Sequence, residues 1–222
     1  MTSHDPDDDD EDSPNASGSR TNGAGSSSLV DPGSHAPARD APPPAILELV
    51  ASCVRFVLAK YRVELDGTPD TLGILDHYVK EARAEIVARP EGLELVEAAV
   101  GAYFGEVVRG VFESTWHHEG DKADWRLRMK HVYLTFNPIG MAREALTHDD
   151  APGWHAHIEV DPGEEEEVQR RLAVLPEVAE DEYYALSTRF DVIELTVVAL
   201  RARMRASGLG DVVFTDEDYE KA

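Results

Sequence analysis

The chain has 222 residues, 42 % of them hydrophobic, and a formal net charge of −23. That field repels nucleic-acid phosphates and anionic lipid surfaces, so no nucleic-acid or membrane partner is expected through a broad basic face. One cysteine, Cys53, excludes an intramolecular disulfide framework, and the acidic N-terminus and lack of a membrane-length apolar run lead to a cytoplasmic expectation.

Residues 1–45 hold the acid run DPDDDDED, a Ser/Gly/Asn stretch and Pro42–Pro44, with Leu29 and Val30 as their few large apolar residues. Such a segment buries too little surface to offset its ordering entropy, and it reads as a disordered acidic tail. Residues 46–222 suffice for one globular domain. The domain retains a charge of roughly −16 once the nine acids and two arginines of the tail are set aside. Sixteen arginines against five lysines, with abundant alanine, suggest a GC-rich genome.

Four segments carry 3-4-3-4 apolar spacing, the signature of a seam along a helix: Leu47–Tyr61, Leu72–Ile86, Leu93–Val111 and Tyr183–Met204. Short loops predict that the first three are sequential antiparallel neighbours. Cys53 falls within the first seam, as a buried inert thiol would. Thr68-Pro69, Asn137-Pro138 and Asp161-Pro162 each set a capping side chain before a proline, predicting three helix starts. Between 123 and 160 the period changes to two, around Trp125–Met129, Val132–Phe136 and His155–Val160, with a short helix expected near 138–147. Asp211–Phe214 suggests a further short strand. The expected fold class is α+β. A helical layer of antiparallel helices packs with a small antiparallel β-sheet at roughly residues 123–160, and two C-terminal helices complete it.

The third seam carries Gly101, Gly105 and Gly110. Each costs a helix interior about 0.5–1 kcal/mol relative to alanine, so bare backbone is expected to serve a close neighbour there. Three motifs are notable together: TPDTLGILDHYV at 68–79, VGAYFGEVVRG at 100–110 followed by Trp116, and FNPIGMAREAL at 136–146. The series resembles a bacterial domain family of unknown function whose members share an "sL.xLD" helix, a "GaYxGEvxR" helix, a following tryptophan and an "NPf" turn into a helix. The resemblance covers residues 62–146, implies a shared fold and transfers no chemistry. It departs at FEST, 112–115, which lacks the glycine pair of that turn.

No phosphate loop, nucleophile elbow or calcium loop is legible, and no cofactor is expected. Tyr103, Glu106, Arg109 and Trp116 are the candidate binding residues, grouped on or beside the glycine helix. A Glu–Arg pair that fixes helix packing is the simpler reading of Glu106 and Arg109. His155 and His157, two apart on an expected strand, share a face and offer a weaker metal pair, with Glu159 in the same row. Two functional classes follow. The favoured one is a non-enzymatic acidic interaction module, an adaptor or immunity-type protein with a basic protein partner. The alternative is a metal-dependent hydrolase-like enzyme using His155 and His157.

Overall fold

The computed structural model describes residues 41–173 and 178–221, all within one compact unit. The acidic tail predicted for residues 1–45 lies outside the described residues as far as residue 40.

Helix α1 (Pro44–Tyr61) opens with proline at its first position and stops at Arg62, whose φ of 61° is left-handed. It therefore begins two residues before the sequence-drawn boundary. Its buried residues are Ile46, Cys53 and Val57, whereas Leu47 is 49 % exposed, so the true seam is rotated from the one drawn through Leu47. Burial pushes the Cys53 thiol up to about 12, which keeps it protonated and inert. Helix α2 (Leu72–Ala88) buries Leu72, Leu75, Val79 and Ala82, as its spacing predicts. It is entered through a 3-10 turn, Pro69–Thr71. Asp66, not Thr68, organises that entry, accepting from the Thr68 amide at 2.9 Å and from the Thr68 and Thr71 hydroxyls.

Helix α3 (Leu93–Val111) is buried on nearly all sides from Glu97 to Arg109. A helix so enclosed must be central. It lies against α1 and against α4 (Pro138–Thr147), touching α2 only lightly, while α2 packs on α4 and on α7 (Leu186–Ala206). The expected order of sequential antiparallel neighbours is thus corrected: the third helix inserts between the first and the fourth. The glycines explain why. A Cβ on Gly101 would lie 2.7 Å from the Pro138 carbonyl oxygen, and one on Gly105 would lie 2.6 Å from Cη2 of Trp116. Both glycines admit a neighbour that alanine would push away. Gly110 meets nothing closer than 3.6 Å.

The sheet is a four-stranded antiparallel meander of β1 (Ser114–His117), β2 (Arg126–Met129), β3 (Leu134–Phe136) and β4 (Glu159–Val160). Trp116, Leu127 and Phe136 stand opposite one another on β1, β2 and β3 and form the apolar row beneath it. The α+β class is as expected, with two differences in extent. The sheet starts earlier, at Ser114, because β1 follows α3 directly. Its last strand is shorter, because His155 takes a left-handed φ of 49° that breaks the extended run before Glu159.

Asn137 caps α4 as predicted, accepting from the amides of Ile139 at 2.9 Å and Gly140 at 3.1 Å. Asp161-Pro162 does not start a helix: Asp161 accepts from Gly163 N in a turn, and α5 (Glu165–Leu172) begins later. A short α6 (Glu180–Tyr183) precedes α7, whose first amides are held from outside. Leu186 N and Ser187 N donate to the carboxylate of Asp76 on α2 at 2.7 and 3.2 Å. A carboxylate there meets the positive end of the helix dipole. Asp211–Phe214 forms no strand; Phe214 N donates to Lys130 O, and α8 (Asp216–Glu220) follows. Tyr219 then fixes α8 to the β2–β3 turn: its single hydroxyl proton is within hydrogen-bond reach of the carbonyls of Met129, Val132 and Leu134, nearest Met129 at 2.7 Å, and its oxygen accepts from Leu134 N.

Candidate functional site

Glu106 and Arg109, one turn apart on α3, are joined by two hydrogen bonds, from Arg109 Nη1 to Oε1 at 3.0 Å and Oε2 at 3.1 Å. Trp116 Nε1 donates to the same Oε1 at 2.7 Å, and Arg109 Nε donates to the Ser114 carbonyl at 3.2 Å. Three of the four candidate binding residues therefore meet in one place. Their polar atoms face one another, with the Arg109 side chain 7 % exposed and that of Glu106 22 %. The arrangement works as a clamp between α3 and β1, and Gly105 supplies the space for the indole. Tyr103 is not part of it. Its hydroxyl accepts from Gly67 N at 2.9 Å and bonds Thr71 Oγ1 at 3.0 Å, so it serves the turn into α2. Burial raises its phenol above the ordinary tyrosine value.

A second polar cluster forms where α4 ends. Glu144, 1 % exposed, accepts from Arg189 Nη2 of α7 at Oε2 and from Ala151 N at Oε1, at 2.9 and 3.1 Å. His157 Nε2 lies 3.6 Å from that Oε1. Tyr184 donates to Asp150 Oδ1 at 2.9 Å, and this bond to a carboxylate, with some burial, pushes its phenol up to about 12. One ligand atom each from Glu144, Asp150 and His157 lies within 4.8 Å of the others. A cavity of about 340 Å³ opens beside them. The two histidines paired in the sequence reading separate in the structure. Neither lies in a strand, His157 faces Glu144, and His155 Nδ1 is bonded to Glu159 Oε1 at 2.7 Å.

Sequence reasoning missed Glu144, Asp150, Arg189 and Tyr184. A signal existed for two of them. Glu144 falls three residues after Met141, and Arg189 falls between Leu186 and Ile193 of the α7 seam. A charged residue on an apolar seam needs a partner there, since a lone buried charge is prohibitively costly.

Two further concavities lie along α7. One, of about 880 Å³, has Val160, Val168, Leu172 and Val192 in its walls and Arg189 at one side. The other is a groove of about 370 Å³ between the 3-10 turn and α7. Its apolar lining is Leu72 and Phe190, both buried, with the exposed Val111, and Asp70, Asp191 and Glu194 line it as well. All three acids are exposed, and among the described residues none is engaged by a cation. No described helix is long and apolar enough to cross a membrane. No family model, curated protein or solved structure matches the chain, so the resemblance rests on its motifs alone.

Proposed function

We propose that the chain is a non-enzymatic acidic interaction module, acting in the cytoplasm as an adaptor or immunity-type protein, and that it receives a basic protein partner at the groove beside α7. The groove carries this reading: Asp70, Asp191 and Glu194, exposed and engaged by no cation among the described residues, line it together with the apolar side chains of Leu72, Val111 and Phe190. A lysine or arginine suits such a place, because its methylene stem covers apolar surface while its charge reaches the carboxylates. The net charge of −23 adds long-range attraction for the same partner. The Glu106–Arg109–Trp116 clamp supports a structural role for those three residues, because their polar atoms are turned on one another.

The test compares capture from the source cells by the native chain and by the triple variant Asp70→Asn, Asp191→Asn, Glu194→Gln. A captured protein with a basic surface should bind the native chain more weakly as salt rises and should be lost by the triple variant. Equal capture by both, or affinity indifferent to salt, would defeat the reading.

A further inference from the structure

We propose that Glu144, Asp150 and His157 form a binding site for a first-row divalent cation of the zinc class. This is independent of the groove and of any basic partner. The three groups come from different parts of the chain: α4, the loop after it and the segment before β4. Their ligand atoms nevertheless lie within 4.8 Å of one another. A zinc ion takes nitrogen and carboxylate oxygen ligands at about 2.0–2.2 Å, so its ligand atoms stand roughly 3.5 Å apart. Small side-chain rotations of Asp150 and His157 close the difference. Both are exposed, and Asp150 can turn its second oxygen inward about the bond that Tyr184 makes to Oδ1, while Glu144 is buried and fixed.

The surroundings supply what such a site requires beyond its ligands. Metal-ligating groups are normally oriented by outer hydrogen bonds. Glu144 is held at Oε2 by Arg189 and at Oε1 by Ala151 N, and a carboxylate oxygen that accepts one hydrogen bond retains a second lone pair. Asp150 is held at Oδ1 by Tyr184. Arg189 offsets the charge of the buried Glu144 and holds its carboxylate in place, and Asp150 adds the second negative charge that an incoming dication meets. The cavity of about 340 Å³ gives it an approach and leaves room for water in an open coordination position. The nitrogen donor decides the class of ion. Calcium and magnesium prefer all-oxygen shells, whereas imidazole suits zinc and its neighbours. His155, tied to Glu159, is not required.

The experiment is calorimetric titration of the chelator-stripped full chain with Zn²⁺, alongside His157→Ala, Asp150→Asn, Tyr184→Phe and His155→Ala, each checked for an unchanged circular dichroism spectrum. The native chain should bind one equivalent above the weak background of its acidic surface. His157→Ala and Asp150→Asn should lose that equivalent, Tyr184→Phe should weaken it about tenfold, and His155→Ala should keep it. A matching melting-temperature rise should accompany binding in the native chain and in His155→Ala. A native isotherm without a stoichiometric step, a step that survives His157→Ala, or Ca²⁺ bound as tightly as Zn²⁺ would overturn the proposal.

Discussion

Arg189 Nη2 donates to Glu144 Oε2 at 2.9 Å, with the two side chains 10 % and 1 % exposed. This pair ties the end of α4 to the start of α7. Arg189 also lies over the rings of Tyr183 and Tyr184, 4.9 and 5.6 Å from their centroids. Removing one member strands a buried charge. Arg189→Met should cost about 3–5 kcal/mol in urea unfolding, and the double variant Glu144→Met with Arg189→Met should cost much less. Additive losses would show that the two charges do not depend on each other.

The glycines of α3 separate by their neighbours. Gly101→Ala and Gly105→Ala should each destabilise by about 1–3 kcal/mol, because the new methyl meets α4 backbone in one case and the hydrogen-bonded Trp116 ring in the other. Gly110→Ala should stabilise by about 0.5–1 kcal/mol, since its position is exposed and unobstructed. Thermal melts of the three variants check the order, and equal effects at all three would contradict the packing role.

Glu97, 1 % exposed on α3, is paired with Arg143 Nη1 at 2.9 Å, yet burial outweighs the arginine and raises its carboxyl above the ordinary value. The unfolded chain therefore releases this proton first as pH rises. Between about pH 4.3, the unfolded value, and the raised folded value, Glu97 makes stability fall with increasing pH. Relative to the native chain, Glu97→Gln should gain stability from pH 4 to pH 7 in chemical denaturation, whatever constant offset the lost Arg143 contact brings. A relative stability that falls with pH would reverse the sign and refute the burial argument. Asp66 acts in the opposite sense. Thr68 and Thr71 hold its carboxyl below the usual range, so its contribution is present at neutral pH and is lost as pH falls through that lowered value.

The Tyr219 hydroxyl of α8 sits among three carbonyls of the β2–β3 turn, 2.7 Å from that of Met129, and its ring stacks on Tyr133 with centroids 4.6 Å apart. Tyr219→Phe keeps the stack and removes the hydroxyl. It should cost about 1–2 kcal/mol and speed amide exchange at Leu134, whose N–H donates to that oxygen at 3.1 Å. Unchanged exchange at Leu134 would show that α8 docks through its ring alone.

The periodicity of Leu72–Ala82 and Leu186–Leu200, the cap at Asn137 and the strands around Leu127 and Phe136 were legible in the sequence, because each depends on residues a few positions apart. Of the three glycines, Gly101 and Gly105 mark a close approach, as their cost to the helix implied, whereas Gly110 does not. Which element approaches was not legible: Pro138 and Trp116 reach Gly101 and Gly105 only through the placing of α4 and β1 around α3. The same holds for the polar groups. Local spacing paired His155 with His157 and grouped Tyr103 with Glu106. Tertiary packing instead sent His157 to Glu144, His155 to Glu159 and Tyr103 to the turn at Gly67. Helix and strand periods fix which face a side chain takes on its own element. The partner it meets is fixed by burial summed over the whole domain, and for Glu144 that partner is Arg189, 45 residues further along the chain.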